Sequence, residues 1–371
     1  MKFLIAVNHP AQYHLFKQTH ATLVSKGHDV VFAIKDKDIL AKLMDNEGVQ
    51  YHRLLKKQVG KNTITILIKG FIDIINQGLA LFRFVKRYKP DVMFGTDYSI
   101  THIGKLTGIP AIVFNEDDFN INKFFCKLSY PWSSCIVSPS VCDVGKYQYK
   151  KINYDGFQKL AYLHPTVFQP DKSIVNKYLD SSKKYFLIRL VSFSAGHDIE
   201  MKHGGLTEKV LSEIINKLEK YGNVYISSEA RIPEQFKRYK LQINVKDIHH
   251  IMAYASLIIA DSQSMIVESS VIGTPSIRFN SFVGKISVLE ELQNKYKLTT
   301  GISNNNPELL HETITLLLDN PNLKNEYITR REAMLSDKIN VTKFITWFVE
   351  DYPESKKKMY KNPEYQYNFK Q

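Results

Sequence analysis

The chain has 371 residues, of which 44% are hydrophobic and 23% charged, and its formal net charge is +13. This length exceeds the usual size of one domain, so we expect two, and the composition is that of a globular protein. The positive surplus favours anionic partners. Nucleic acid is not a predicted partner, because neither a basic stripe with interleaved aromatic residues nor a binding-module motif is present.

The cysteines indicate the compartment. Cys126, Cys135 and Cys142 are odd in number and lack paired-ligand spacing, which favours a reducing environment over a disulfide framework or a zinc site. The apolar run at residues 3–7 is too short for a signal peptide. The longest apolar region, residues 64–85, contains three charged residues and is not a transmembrane span. We therefore predict a cytoplasmic protein.

The first half of the chain alternates strands and helices from its start. Strands are predicted at residues 3–7, 30–34, 51–55, 91–94, 111–114 and 136–138, and helices at 10–26, 37–46, 64–88 and 99–107. This alternation predicts a parallel sheet with helices on both faces.

The pattern restarts after a polar link at residues 169–182. Strands are predicted at 185–191, 224–227, 257–260 and 275–279, a loop and helix at 203–221, and further helices at 247–255, 264–273, 309–318 and 322–335. We therefore expect a first domain at 1–168 and a second at 169–337, a helical segment at 338–352 that crosses back to the first domain, and a loose polar tail at 353–371. A cleft between two such domains is a favoured place for a small ligand.

Polar residues follow three predicted strands of the first half. They are residues 8–14, the segment Gly95-Thr96-Asp97, and residues 115–118. Because ligands collect at the carboxyl ends of strands in open α/β sheets, these loops are expected to face one crevice. Asp97 and Glu116 are the candidate acids there. The alternative for Asp97 is an N-cap, since a helical pattern follows it.

In the second half, residues 257–275 predict a strand, a polar turn, a helix and a stop. The turn D-S-Q-S precedes a helix N-terminus, whose unpaired N–H groups and positive dipole end suit a phosphate. Glu268, one turn beyond Ser264, could accept hydrogen bonds from two vicinal hydroxyls, as on a ribose. The alternative is that the serines only cap the helix and the glutamate only compensates its dipole.

This stretch carries a resemblance. D-S-Q-S-M-I-V-E-S-S-V-I-G-T-P, at 261–275, resembles the D-S-G-G-x-x-x-E-x-x-x-x-G-x-P segment of UDP-N-acetylglucosamine 2-epimerases. With Y-L-H-P at 162–165, S-A-G-H-D at 194–198 and S-S-E at 227–229, the chain is similar to an uncharacterised microbial family of the same fold. The resemblance implies a GT-B architecture, with two Rossmann-like doubly wound α/β domains and an interdomain cleft.

The resemblance also implies roles in nucleotide binding. Ser262 and Ser264, with their backbone N–H groups, would hold a nucleotide diphosphate, and Glu268 would hold the ribose. One departure is that Gln263-Ser264 stands where the epimerases have a glycine pair. The bulkier turn changes how closely the phosphates can approach, because glycine permits near contact.

Two reaction classes fit these residues. In a glycosyltransferase, His14 would act as the base on the acceptor hydroxyl, as it resembles the loop histidine of several GT-B transferases, with Asp97 or Glu116 as alternatives. Arg189 and Lys202 would stabilise the departing diphosphate. The alternative for His14 is a structural role at the start of the first helix.

In an epimerase, Asp97 and Glu116 occupy the positions of two family acids. His197 would replace the second-domain histidine, although S-A-G-H-D differs from the expected T-A-H-R. A further family glutamate has no counterpart, so the acid–base set of an epimerase is incomplete. A metal is not expected, since GT-B enzymes commonly work without one, although the carboxylates at 116–118 could bind a divalent ion.

We therefore predict a UDP-sugar-dependent glycosyltransferase of surface glycan assembly without a cofactor, acting on a glycan or lipid-linked acceptor. The alternatives are an epimerase or hydrolase of the nucleotide sugar, and a non-catalytic sugar-nucleotide binding protein. The long apolar helix at 64–85 is flanked by basic residues, which predicts peripheral contact with the anionic inner membrane face. These residues are Lys56, Lys57, Lys61, Lys86, Arg87 and Lys89. The alternative is a core helix with solvated lysines.

Overall fold

The computed structural model describes residues 1–36, 38–56, 63–190, 205–228 and 232–370. The strands are β1 (Lys2–Val7), β2 (Asp29–Asp36), β3 (Tyr51–Lys56), β4 (Val92–Gly95), β5 (Ala111–Phe114), β6 (Cys135–Pro139), β7 (Lys151–Tyr154), β8 (Tyr185–Leu190), β9 (Asn223–Ser228), β10 (Leu257–Ala260), β11 (Ser276–Phe279) and β12 (Thr300–Ile302).

The helices alternate with these strands. They are α1 (Pro10–Ser25), α2 (Asp38–Asn46), α3 (Thr63–Tyr88), α4 (Ser99–Thr107), α5 (Lys123–Ser129), α6 (Leu160–Leu163), α7 (Lys172–Val175), α8 (Glu208–Leu218), α9 (Ile248–Tyr254), α10 (Gln263–Ile272), α11 (Ser287–Asn294), α12 (Pro307–Leu318), α13 (Leu323–Asp337), α14 (Val341–Glu350) and α15 (Glu354–Lys361). Short 3₁₀ helices lie at Gly145–Lys150, Glu234–Tyr239, Val245–Asp247 and Pro363–Phe369.

The chain divides into two compact units. The first contains Met1–Tyr162 and Lys338–Gln371, and the second contains Leu163–Asp337. The boundary therefore lies six residues before the one expected at 168, and the chain beyond residue 337 belongs to the first unit.

Each unit contains a parallel sheet. Among the described residues, the strand order is β3-β2-β1-β4-β5-β6-β7 in the first unit and β12-β11-β10-β8-β9 in the second. The central strands are continuous apolar runs because helices cover both of their faces. The order of each sheet changes direction beside its first strand, between β1 and β4 and between β8 and β10. Such switch points are where α/β sheets bind ligands. The two Rossmann-like sheets expected from the sequence are thus confirmed.

Strand β7 was missing from the sequence prediction, which ended the first sheet at β6. Residues 151–154 read K-I-N-Y, a half-polar segment without an apolar run. The segment is nevertheless largely buried, because it pairs with β6 over four residues and Lys151 Nζ donates to the carbonyls of Ser140 and Cys142 at 3.0 and 2.7 Å.

Helix α14 packs against α1 within the first unit. Glu350, at its end, accepts from Lys26 Nζ at 2.5 Å and lies 3.1 Å from His28 Nε2. These contacts fix the chain after residue 337 on the helices of the first sheet.

The expectation of a loose tail after residue 352 needs correction. The tail forms α15 and a 3₁₀ helix, and Met359 and Gln366 are each only 3% exposed. Gln366 accepts from the backbone N–H of Asp155 at 2.6 Å, and Phe369 contacts the ring of Trp347. The many charges indicated a solvated segment, but the rings of Tyr365 and Phe369 pack on Trp347 of α14.

The three cysteines are free and buried. Burial is the main cause that raises the pKa of Cys126 to about 11 and that of Cys135 to about 12. Within the described chain, no helix combines the length and the apolar character that crossing a membrane requires.

Candidate functional site

In the first unit, the carboxyl ends of β1 and β4 come together through Gly95. This glycine has φ 150°, and a Cβ at its position would lie 2.1 Å from the carbonyl oxygen of Ala6. Only glycine tolerates this close approach. It allows the residues that follow β1 and β4 to share one polar network.

Asp97 lies at the centre of that network and is only 2% exposed. Its carboxylate accepts from Asn8 Nδ2, from Gln77 Nε2 at 2.8 Å, and from both the backbone N–H (2.6 Å) and the hydroxyl of Ser99. Asp97 lies just before Tyr98, the N-cap of α4, and its bond to Ser99 satisfies the first N–H of that helix. The side chain therefore joins β1, α3 and α4 at the sheet edge.

Glu116, which follows β5, belongs to a separate network. It accepts from the backbone N–H of Gln158 and from Lys159 Nζ, both at 2.6 Å. The Glu116 and Lys159 side chains are 10% and 12% exposed. Since the partners of Glu116 differ from those of Asp97, the two carboxylates hold different pairs of segments.

His14 lies in the first turns of α1 and is half-buried. Its ring centroid is 5.4 Å from that of Tyr162 and 5.7 Å from that of Tyr13. Burial tends to raise the pKa of nearby Glu47, but hydrogen bonds from Lys17 and Tyr13 and the charge of His14 lower it overall. His14 is thus held by aromatic neighbours beside an acidic group.

In the second unit, α10 begins directly beyond the carboxyl end of β10, beside the switch point. Ser262 has extended backbone angles (φ −77°, ψ 126°), and its hydroxyl accepts from the N–H of Met265 at 3.3 Å. Ser264 is exposed in the first turn. The N-terminal N–H groups of this ten-residue helix form the kind of site that binds phosphate in α/β proteins.

Glu268 lies on the next turn of α10 and faces α9. Its Oε1 is 3.4 Å from His249 Nε2, and the two side chains are 13% and 14% exposed. His249 in turn lies against the ring of Phe168, with 6.0 Å between centroids. Glu268, the residue expected to bind the ribose, therefore has a histidine at ion-pairing distance.

Arg189 belongs to a row of residues that crosses the second sheet near its carboxyl edge. The row, read from the pairing register, is Ser227, Arg189, Ala260, Arg278 and Gly301. Neighbours along the strands, such as Ile188 and Ile277, belong to the hydrophobic cluster on the opposite face. Two arginines thus flank the small Ala260, which precedes the turn into α10.

The two arginines differ in their environment. Arg189 is half-buried and donates from Nη1 to the Ser227 hydroxyl at 2.8 Å. Arg278 is fully buried and donates from Nη2 to Glu290 at 2.9 Å. Burial lowers the pKa of Arg278, and the bond to Glu290 opposes that effect. Arg189 is therefore the arginine of this row that retains exposed surface.

His197 and Lys202, both sequence candidates, lie outside the described residues. Gly205, which follows that stretch, packs against Asp261, since a Cβ there would lie 2.5 Å from Asp261 Oδ2. Within the described ranges, no group of three or more histidine, cysteine, aspartate or glutamate side chains is placed to hold a metal ion.

Comparison with known proteins gives the family. A family profile described as "Protein of unknown function (DUF354)" matches residues 1–335. The chain belongs to the DUF354 family. A search of curated proteins found no match to it.

The fold of this DUF354 chain is shared with solved glycosyltransferases and UDP-GlcNAc 2-epimerases. The co-structure of S. aureus MnaA with UDP aligns with a TM-score of 0.66 at 11% identity, covering 97% of each chain. A UDP-GlcNAc 2-epimerase from Neisseria meningitidis, bound to UDP-GlcNAc, gives 0.63 at 12% identity, covering 94% of this chain and 99% of that one. The glycosyltransferase SsfS6 of Streptomyces sp. SF2575, complexed with thymidine diphosphate, gives 0.58 at 12% identity with the same coverage. The GT-B resemblance is thus confirmed at the level of fold.

Several residues of these networks were not selected from the DUF354 sequence. Asn8 and Gln77 hold Asp97, His249 approaches Glu268, and Arg278 lies beside Ala260. The one available signal was an arginine within the otherwise uncharged strand S-I-R-F. The other three are far in sequence from their partners, and only the fold brings them together.

Proposed function

We propose that this DUF354 chain is a glycosyltransferase that uses a nucleotide sugar, with a UDP-sugar as the donor. The observation that carries the proposal is the start of α10 at the switch point beside β10, with a capping serine and an exposed Ser264. A helix N-terminus in this position favours a diphosphate through its N–H groups and its dipole.

The donor is assigned to the second unit. The first-turn N–H groups of α10, with Ser262 and Ser264, would hold the diphosphate, and Glu268 would hold the ribose hydroxyls. Arg189, one strand away from Ala260, would compensate the negative charge that grows on the diphosphate as the sugar bond breaks. The known structures of this fold with UDP, UDP-GlcNAc or thymidine diphosphate support a nucleotide ligand.

The hydrogen bonding of the two strand-end carboxylates favours transfer over epimerisation. An epimerase needs several groups that can exchange protons with the sugar, whereas Asp97 and Glu116 each accept two or more hydrogen bonds within the protein. Transfer needs one base on the acceptor hydroxyl. The half-buried His14 is our candidate for that base, and no metal is invoked.

The reaction class is tested with UDP-GlcNAc in the absence of acceptor. A transferase is expected to bind the nucleotide sugar, raise its melting temperature and leave the ligand unchanged. Release of a 2-epimer, or of free sugar and UDP, would instead identify an epimerase or hydrolase. If UDP, UDP-GlcNAc and other nucleoside diphosphates all leave the melting temperature unchanged, the nucleotide site is wrong.

The residue roles are tested by two variants. Glu268→Ala is expected to weaken UDP binding, while His14→Ala should leave binding intact and abolish transfer once an acceptor is found. Gln18→Ala, one turn further along α1, is the matched control for His14 and should retain transfer. The two roles would be reversed if His14→Ala weakened UDP binding and Glu268→Ala retained transfer.

We also propose that the acceptor is a glycan or lipid-linked molecule reached at an anionic membrane surface. Exposed apolar side chains on α3, on α5 and just after α5 support this, because Ile75 and Leu79 are 47% and 48% exposed, Phe124 is 67% and Trp132 is 49%. Helices α3, α4 and α5 also carry exposed basic residues, at Lys86, Arg87, Lys105, Lys123 and Lys127. Interfacial binding combines such apolar area with attraction to anionic lipid.

Vesicle sedimentation tests the membrane proposal. The protein is expected to pellet with phosphatidylglycerol-containing vesicles at low salt and to be released by salt. The double variant Phe124→Ser, Trp132→Ser should bind less, whereas Leu316→Ser, which removes a 74% exposed leucine from α12 of the second unit, should not. If the wild type, the double variant and Leu316→Ser all bind the vesicles equally, the proposed membrane surface is wrong.

A further inference from the structure

We propose that His249 is a positioning residue that orients the Glu268 carboxylate to bind the ribose hydroxyls of the donor nucleotide. The inference rests on the proposed nucleotide site and names the side chain that makes it selective for a ribose.

The geometry of the contact carries the inference. His249 Nε2 lies 3.4 Å from Glu268 Oε1, and each side chain is more than four-fifths buried. The two residues are on neighbouring helices, α9 and α10, and α10 is also the helix whose first turn is assigned to the diphosphate. A buried carboxylate beside an imidazole has fewer accessible orientations than a solvated one, which is what a ligand group needs before the ligand arrives.

The histidine is itself held from its other side. Its ring lies edge-on to Phe168, with an interplanar angle of 73°. The same phenylalanine ring contacts His250, with 4.9 Å between centroids, and His250 Nδ1 accepts from the backbone N–H of Asp171 at 2.9 Å. Phe168 therefore packs on both imidazoles, while the backbone before α7 holds His250, the neighbour of His249.

The adjacent histidine provides a matched control. His249 and His250 share one helix and one aromatic neighbour, but His249 approaches Glu268 on α10 whereas His250 accepts from Asp171 before α7. Replacing either removes an imidazole packed on Phe168. Only the loss of His249 is expected to change how the nucleotide's sugar is recognised.

The test compares UDP with 2′,3′-dideoxy-UDP by titration calorimetry, using the full chain. The wild type should bind UDP about tenfold more tightly, as loss of hydrogen bonds to a charged group predicts. In His249→Ala this preference should fall to less than about twofold, while the affinity for dideoxy-UDP, which reports the diphosphate, stays near that of the wild type. His250→Ala should keep the full preference, and His249→Gln, whose amide places a donor near the position of Nε2, should restore most of it.

The outcomes separate this inference from the function on which it rests. If the wild type binds neither nucleotide, the proposed function fails and the inference with it. If it binds both equally, the ribose role of Glu268 fails together with the inference, while the diphosphate site stands. If Glu268→Gln loses the ribose preference while His249→Ala keeps it, the inference alone fails. As a check without substitution, the imidazole ¹⁵N resonances of His249 in the wild type should shift with UDP and not with dideoxy-UDP, and an equal response to both would contradict the proposal.

Discussion

The two sheets of this protein use their carboxyl edges differently. In the first unit the polar side chains that follow β4 and β5 bond to the protein itself: Asp97 is 2% exposed and joins three segments, and Glu116 pairs with Lys159. In the second unit the residues that follow β10 start a helix whose first turn leaves Ser264 exposed. At the first edge, carboxylates accept hydrogen bonds from the protein itself. At the second edge, a helix begins, and the first N–H groups of a helix are potential donors to a ligand.

This difference changes how strand-end acids should be interpreted. A carboxylate after a parallel strand is a candidate catalytic group, but it also satisfies the N–H groups of the helix that follows. At Asp97 the second function is visible in the bond to the Ser99 N–H. We therefore expect substitutions at the first edge to affect stability and those at the second edge to affect ligand binding.

The largest effect is expected at Gly95. Gly95→Ala would place a Cβ 2.1 Å from the Ala6 carbonyl oxygen and should separate β4 from β1, at a cost of more than about 3 kcal/mol. Urea unfolding followed by circular dichroism measures this loss. Gly78→Ala is the control, since no atom of the described residues outside its own stretch of helix backbone lies within 4 Å of the added carbon, and it should be neutral or stabilising by up to about 1 kcal/mol. Similar curves for both variants would show that the first edge does not depend on this contact.

The next largest effect is expected at Asp97. Asp97→Asn replaces an acceptor of several N–H and O–H donors with an amide and should lower the free energy of unfolding by about 2–3 kcal/mol, without changing the Kd for UDP. Asp143→Asn, an exposed carboxylate that accepts from Gly145 N–H at 2.8 Å, is the control and should cost less. A stable Asp97→Asn protein without enzymatic activity would contradict the structural role and restore Asp97 as a catalytic acid.

A smaller effect on folding is expected at Ser262, where stability and binding can be separated. Ser262→Ala removes the cap of α10 and should cost about 1 kcal/mol. Ser262→Asp keeps a capping oxygen and should fold as well as the wild type, but its charge would repel a diphosphate. Thermal unfolding with and without UDP measures both. If Ser262→Asp still binds UDP, the diphosphate site does not lie at the start of α10.

The smallest effect is expected at Glu350, which holds α14 on α1. Burial tends to raise its pKa, but hydrogen bonds from Lys26 and His28 lower it below the ordinary value of 4.5. Because the folded-state pKa is the lower one, this carboxylate stabilises the protein above pH 4.5, and the contribution is lost as the pH falls through the folded-state pKa.

Glu350→Gln should therefore cost less than about 1 kcal/mol at neutral pH, as expected of a partly exposed ion pair, and nothing in strong acid. Melting temperatures of wild type and variant between pH 3 and 7 are compared. Glu354→Gln, whose partner Lys357 is also exposed, is the control and should change less. A difference between Glu350→Gln and wild type that grows in acid would contradict this sign.

Much of the fold follows from local pattern. The apolar runs A-I-V-F and L-I-I-A gave β5 and β10, and the stop at Gly108 gave the end of α4, because each signal lies within a few residues. β7 and the tail helix α15 were missed because their burial depends on neighbours from distant parts of the chain. Charge along those segments indicates solvent only when no such neighbour exists.

The sequence by itself determined two α/β sheets and the helix start at residues 262–264, since periodicity, turn residues and caps act over short distances. The strand order of each sheet, and with it the switch points, came from the tertiary structure. Only the tertiary structure decided which side chains meet there. It tied Asp97 to Asn8 and Gln77, brought His249 to Glu268, and set Arg278 beside Ala260. Hydrogen bonds and ion pairs are formed between residues that are adjacent in space, and the spacing of residues along a chain does not specify that adjacency.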